Sequence, residues 1–361
     1  MPRATTARID LAALRGNFAR IRACAPGSKV LAVVKADAYG HGLERVARSL
    51  DNADGFGVSA LSEAERLRAA GLKQPIVLLS GFDEPADLPQ LRRLDVATAV
   101  HHESQLRLLE AFREPGAPIR AWLKIDSGMH RLGFAPAQAA DAHARLRALP
   151  QVDEDIVLMT HFASSEDFDG DPTRAQIDCF ERAARGLPGA QSTANSAAVL
   201  GWPDSHRQWV RAGGALYGLS VAARKAGRDF GLAPVMELST RLIAINRIAR
   251  GERVGYSGSW ECPEDMDVGV AAIGYGDGYP RTVPSGTPVL VDGVRVPIIG
   301  RVSMDLVTLD LRGLPQARVG APVVLWGPGL PVEEVAAAAG SISYDLTCAI
   351  TRRVRFVESG G

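Results

Sequence analysis

The sequence predicts an α/β fold, an N-terminal (β/α)8 barrel followed by a C-terminal mainly-β domain. Three observations lead there. From about residue 29 to 218, short apolar β-branched runs alternate with longer amphipathic stretches, the rhythm of a parallel sheet covered by helices. Eight such runs fit into that stretch, the number that closes a barrel. After about residue 235 the rhythm changes to short strands separated by Gly, Pro and Asp turns. The chain has 361 residues, and at roughly 150 residues per domain that length accommodates two domains. The expected division is 10–232 for the barrel, with 1–9 and 233–361 forming the β domain. A doubly wound sheet is the alternative arrangement of the same strands.

The elements follow in order. A helix over 10–23 precedes the first strand, and the barrel strands are expected at 29–35, 55–60, 75–80, 96–100, 119–125, 156–161, 191–195 and 209–213. Ser62 and Glu65 have the reciprocal spacing of a capping box at the start of a helix. A second helix over 172–187 places Ile177, Phe180 and Ala184 on one face. In the β domain, Asp292-Gly293 between two apolar runs is a hairpin signal.

Composition excludes several function classes. With 46% hydrophobic and 23% charged residues, the chain reads as an ordinary globular protein. Lys+Arg and Asp+Glu number 41 each, so there is no electrostatic footprint for nucleic acid or an anionic membrane. Cys24, Cys179, Cys262 and Cys348 are too scattered for a CxxC redox or metal pattern, so no metal is expected. No secretory signal or apolar membrane span is evident, and the expected location is cytoplasmic.

In a (β/α)8 barrel, catalytic groups stand at the carboxyl ends of the strands, and phosphate is commonly held after strands seven and eight. Lys35 follows the first apolar run, where partial desolvation favours the neutral, nucleophilic amine. After the seventh and eighth runs come Asn195-Ser196 and Arg211-Ala212-Gly213-Gly214, a hydroxyl and a Gly-Gly turn suited to phosphate. A lysine facing a phosphate site points to pyridoxal 5′-phosphate, with Arg211 as the partner of its pyridine nitrogen. Arg131, flanked by glycines after the fifth run, has the planar fork that binds a carboxylate. His161 ends the sixth run, where a lone histidine is more often structural.

Val34-Lys35-Ala36-Asp37-Ala38-Tyr39-Gly40-His41-Gly42 resembles the cofactor-lysine signature of alanine racemases. Segments 129–134, 254–256, 273–281 and 300–305 resemble that family in the same order, and the likeness runs from Ile9 to about Phe356. The resemblance implies interconversion of L- and D-alanine by two bases, Lys35 and Tyr256, with Tyr256 lent by the other subunit of a homodimer. It also implies phosphate contacts at Tyr39, Ser196, Gly213 and Gly214, cofactor contacts at His161, Asn195 and Arg211, and substrate contacts at Arg131 and at Met304 of the second subunit. Lys124 matches a lysine that is carbamylated in several members, and Tyr275 and Asp277 match residues at the mouth of the site. Arg352 stands where some members have a phosphate-contacting tyrosine. The neighbouring readings are a serine or broad-specificity racemase and a non-catalytic carrier of the same cofactor.

Overall fold

The computed structural model describes residues 5–222 and 225–360; the expected N-terminal arm 1–9 is therefore described from residue 5. Strand β1 (Thr6–Asp10) leads into the helix Leu11–Cys24. Eight strands follow: β2 (Lys29–Val33), β3 (Gly55–Val58), β4 (Ile76–Leu78), β5 (Val96–Val100), β6 (Ala121–Lys124), β7 (Val157–Met159), β8 (Gln191–Ser192) and β9 (Trp209–Ala212). Each pairs in parallel with the next, and β9 returns to β2, closing the barrel. Closure rules out the doubly wound alternative.

Several strands stop short of their expected carboxyl ends: β2 ends at Val33 rather than residue 35, and β8 at Ser192 rather than 195. Backbone pairing persists a little further, through Val34 N–H to Gly57 O (2.8 Å) and Arg211 N–H to Ala194 O (2.9 Å). The chain then leaves the ladder into the loops that carry the polar side chains. One core cluster draws Leu31, Val77, Ala97, Ala99, Trp122 and Met159 from five strands. Gly57 makes room for it, because a Cβ there would lie 2.9 Å from Leu79 Cδ1 and 3.2 Å from Leu31 Cδ2.

The helix over 172–187 spans Asp171–Ala184 and buries Ile177, Phe180 and Ala184 as expected. The capping box is displaced. The helix begins at Leu61, so Ser62 already lies inside it. Glu63, not Glu65, reaches back: its Oε2 accepts from Ser59 N–H (2.9 Å) and Ala60 N–H (3.2 Å).

The β unit contains β10 (Met236–Ile248), β11 (Arg253–Val254), β12 (Trp260–Glu261), β13 (Met266–Ala271), β14 (Pro288–Val291), β15 (Val294–Ile299), β16 (Val307–Asp310), β17 (Pro322–Trp326) and β18 (Arg355–Ser359). Its eight-stranded sheet runs β13-β16-β15-β14-β17-β10-β1-β18, with β1 antiparallel to β10 and parallel to β18. Asp292 (φ 47°) and Gly293 (φ 79°) turn β14 into β15, both at the positive φ that a two-residue hairpin loop requires. The chain divides into two units, whose described parts are residues 17–216 with 221–222, and 5–16 with 217–220 and 225–360. Among the described residues no helix is long and apolar enough to cross a membrane.

Candidate active site

In the barrel unit, Lys35 stands two residues beyond β2 and opens an unusual turn. Ala36, Asp37, Ala38 and Tyr39 all have φ between 53° and 56°, and Gly40 follows at 79°. Four successive non-glycine residues thus form a left-handed turn, a conformation costing roughly 1–2 kcal/mol per residue. Several ties hold it. Ala36 N–H donates to Glu63 Oε1 (2.7 Å), Leu43 N–H to Asp37 Oδ1 (3.1 Å), and Arg66 Nη2 to the same Asp37 oxygen (2.7 Å). His41 Nδ1 donates to Tyr39 O (2.9 Å) and Ala38 O (3.1 Å). Burial holds that imidazole's pKa down at about 4, so it donates as the neutral ring. A hydrogen bond to a charged group contributes about 1.5–3 kcal/mol, enough to offset one or two of the four residues.

Arg211 on β9 is the centre of the polar interior and only 4% exposed. Its Nη1 donates to Ser192 O (2.8 Å) and Ser192 Oγ (2.7 Å), and its Nη2 to Thr160 O (2.6 Å) and Thr193 O (3.2 Å). Nη2 also meets His161 Nδ1 at 3.3 Å, which assigns the histidine's own proton to Nε2. All these partners are neutral, and Nε is the donor they leave over. Burial lowers the guanidinium pKa to about 10, so Arg211 stays a cation at neutral pH. His161 is held well below the usual imidazole range by desolvation and then by Arg211, Lys124, Arg131 and Lys35. Four cationic side chains therefore act on one neutral ring.

Lys124, at the end of β6, is 6% exposed. Burial, then Arg211 and Arg131, lowers its pKa to about 8. Arg131 is exposed on the loop that follows, a loop shaped by Asp126 Oδ1, which accepts from the N–H groups of Gly128 (3.0 Å), Met129 (3.1 Å) and His130 (3.0 Å). Two strands further round the barrel, after β8, Asn195 rather than Ser196 caps the helix Ser196–Gly201, its Oδ1 accepting from Ala198 N–H (3.0 Å) and Ser165 Oγ (2.9 Å). Ser196 Oγ accepts from Gly213 N–H (2.8 Å) and Ala215 N–H (3.3 Å). A Cβ on Gly213 would fall 2.5 Å from Tyr39 Oη, so the glycine admits the tyrosine hydroxyl to this turn. Gly214 is buried at the start of a 3-10 turn, Gly214–Tyr217. The structure thus brings Tyr39, Ser196 and Gly213 together, and separately Arg211, His161 and Lys124.

The β unit holds the remaining predicted residues, and they differ in character. Tyr256 is 65% exposed and Met304 52%. Tyr256 opens a short turn between Gly255 (φ 76°) and Ser257 (φ 62°). The loops of Tyr275 and Met304 are zipped by Tyr275 N–H to Ser303 O (3.0 Å) and Gly276 N–H to Met304 O (2.8 Å). Tyr275 is 39% exposed, whereas Asp277 is fully buried, with its Oδ2 accepting from Gly274 N–H (3.1 Å). Arg353, which the sequence did not single out, bridges Asp277 and Asp305 beside these loops.

Comparison with known proteins settles the family. The family model "Alanine racemase, N-terminal domain" matches residues 9–221, and "Alanine racemase, C-terminal domain" matches 235–358. The chain belongs to the alanine racemase family. It is 52% identical over 348 residues to the alanine racemase of Shewanella sediminis, covering 96% of this chain and 97% of that protein. It is 49% identical over 355 residues to the alanine racemase of Edwardsiella ictaluri, covering 98% and 97%. Among solved structures, the biosynthetic alanine racemase from Pseudomonas aeruginosa superposes with a TM-score of 0.96 at 43% identity, covering 99% of both chains. That from Acinetobacter baumannii reaches 0.92 at 34% identity, covering 99% of this chain and 100% of that one.

Proposed function

We propose that this protein interconverts L- and D-alanine, using pyridoxal 5′-phosphate bound in the barrel of residues 10–232 and a second copy's β domain. The observation that carries the cofactor assignment is the convergence of Lys35, Lys124, Arg131 and Arg211 on neutral His161, with Arg211 buried among neutral partners only. Such a field favours anions, and a phosphate together with an amino-acid carboxylate answers it. The donor set also fits the cofactor's shape: an amine at Lys35, a small turn of Tyr39, Ser196, Gly213 and Gly214 for phosphate, and Arg211 Nε toward a ring nitrogen. Asn195 and His161 stand beside these two clusters as further contacts.

When bound, the cofactor would supply an electron sink for the charge left at the substrate's Cα. The chain's own residues do the rest. Racemisation removes the α-proton from one face of Cα and delivers a proton to the other, which calls for two acid/base groups. Lys35 Nζ serves one face and Tyr256 Oη, from the partner copy, the other. Arg131 binds the substrate carboxylate through its fork, with Met304 of the partner copy beside it. Arg211 does not surrender a proton readily, which keeps its ring partner unprotonated and disfavours side reactions that need a stronger sink. Lys124, with its lowered pKa, has an appreciable neutral fraction near neutral pH; its amine lone pair can bond to the carbon of carbon dioxide and release a proton, giving a carbamate that orients Arg131. Tyr275 and Asp277 belong to the mouth of the completed site.

Chiral chromatography after incubating L-alanine or L-serine with cofactor-loaded protein tests the reading, with Lys35→Ala as control. Fast D-alanine formation, slow D-serine formation and an inert control are expected. Comparable rates on both substrates would redirect the reading to a broad-specificity racemase. No D-isomer from either would overturn it in favour of a carrier.

A further inference from the structure

The left-handed turn after Lys35 is held from outside by a residue no catalytic role accounts for. Glu63 sits on the first turn of the helix Leu61–Ala69. Its Oε1 accepts from Ala36 N–H (2.7 Å), the amide one peptide bond beyond the lysine's Cα, while its Oε2 accepts from Ser59 N–H (2.9 Å) and Ala60 N–H (3.2 Å) just past β3. One carboxylate thereby spans the exits of two neighbouring barrel strands. Three residues along the same helix, Arg66 adds a second tie, donating to Asp37 Oδ1 (2.7 Å) and to Glu44 Oε1 (2.7 Å) and Oε2 (2.8 Å). The Arg66–Asp37 pair is about half exposed on both sides, so solvent screens it, whereas Glu63 bonds the backbone amide next to Lys35 itself.

We propose that Glu63 is a positioning residue for Lys35. By fixing the peptide that follows the lysine, its carboxylate fixes the direction in which the Lys35 Cα–Cβ bond leaves the backbone and holds Tyr39, four residues on, at the Gly213 turn. The inference rests on Lys35 being the cofactor-bearing lysine. Without Glu63 the four left-handed residues have a lower-energy alternative in the ordinary right-handed region, and both ends of the turn shift together. Backbone strain of this kind persists only where surrounding contacts over-determine it. Here contacts from the next βα unit, through Glu63 and Arg66, add to the ties that His41 and Leu43 make within the turn's own segment.

The test compares wild type with Glu63→Ala, Glu63→Gln and Glu65→Gly. Glu65→Gly weakens the same helix from its exposed side and does not touch the turn. Three readouts are taken: hydrogen exchange of the Ala36 amide in the cofactor-free full chain, half-saturation by pyridoxal 5′-phosphate followed by absorbance, and kcat and KM for L-alanine. Glu63→Ala is expected to speed Ala36 exchange at least about tenfold, raise half-saturation by a similar factor, and lower kcat with KM little changed. Glu63→Gln can offer an oxygen to only one side of the bracket and is expected to fall between wild type and Glu63→Ala; it keeps the proposal testable if the alanine variant does not fold. Glu65→Gly is expected to match wild type in exchange and cofactor uptake. Wild-type exchange and uptake in both Glu63 variants, or equal losses in Glu65→Gly, would overturn the proposal. A wild-type protein that takes up no cofactor would instead overturn the function assigned to Lys35, while the exchange readout would still report on the Glu63 bracket.

Discussion

The two halves of the candidate site are built by opposite means. In the barrel unit the polar groups are sunk among their own chain: Arg211 is 4% and Lys124 6% exposed, and Arg211 is fixed by the carbonyls of Thr160, Ser192 and Thr193. In the β unit, Tyr256 and Met304 stand 65% and 52% exposed, on loops tied by backbone hydrogen bonds and, next to Met304, by the Arg353–Asp305 pair. Burial makes the barrel groups expensive to keep and therefore tunable, as the lowered pKa values of Lys124 and His161 record. Exposure leaves Tyr256 and Met304 available to a second molecule. The difference fits the proposed reading, in which one half of the site is set by the fold of one copy and the other is presented to a second copy.

Substitutions in the two halves should therefore fail in different ways. Arg211→Ala would take a charged donor from the buried carbonyls of Thr160, Ser192 and Thr193 and open a cavity, and is expected to lower unfolding stability by about 3 kcal/mol in denaturant titrations. Tyr256→Phe is expected to leave stability within about 0.5 kcal/mol, since the residue is exposed, yet to lower racemisation by roughly 10²–10⁴-fold through loss of one acid/base group. A large stability loss in Tyr256→Phe, or none in Arg211→Ala, would erase the contrast.

Lys124 offers a smaller, pH-dependent version of the same contrast. Its folded pKa of about 8 lies below its ordinary value of 10.5, so between those two pH values the unfolded chain binds the extra proton. Stability contributed at this position is accordingly lowest below pH 8 and recovers as pH rises toward 10.5. In buffer free of carbon dioxide, wild type should gain up to about 3 kcal/mol relative to Lys124→Met across that window. A flat difference between the two proteins would show that the amine is not desolvated.

Much of this architecture was legible in the sequence because it rests on periodicity. Eight apolar runs sufficed for the barrel, and Asp292-Gly293 for the hairpin, since only a few residues adopt positive φ at both positions of such a loop. The left-handed turn was not legible for the converse reason: Ala36, Asp37, Ala38 and Tyr39 carry no glycine signal, and part of what holds them, Glu63 and Arg66, lies in another βα unit. Glu63 was missed because the Ser62/Glu65 spacing offered an equally good cap two residues further on, and the choice depends on where the chain leaves β3. Lys35, just past β2, and Arg211, near the carboxyl end of β9, were found by the rule that barrel chemistry gathers at carboxyl ends. The neutral shell of Thr160, Ser192 and Thr193 around Arg211 consists mainly of backbone carbonyls, which every sequence possesses.

The smallest expected effect lies at the hairpin. Gly293→Ala forces a side chain into φ 79° and should cost about 1–2 kcal/mol while leaving kcat and KM for alanine unchanged. A change in either constant would link the hairpin to the site.

The claim that one copy's barrel works with another copy's β unit is tested most directly by mixing two inactive variants. Lys35→Ala and Tyr256→Phe chains, unfolded and refolded together, would form mixed dimers in which both lesions fall in one site and the other site is intact. The account predicts recovery of about a quarter of wild-type activity at equal mixing. A mixture no more active than its two parents would contradict it.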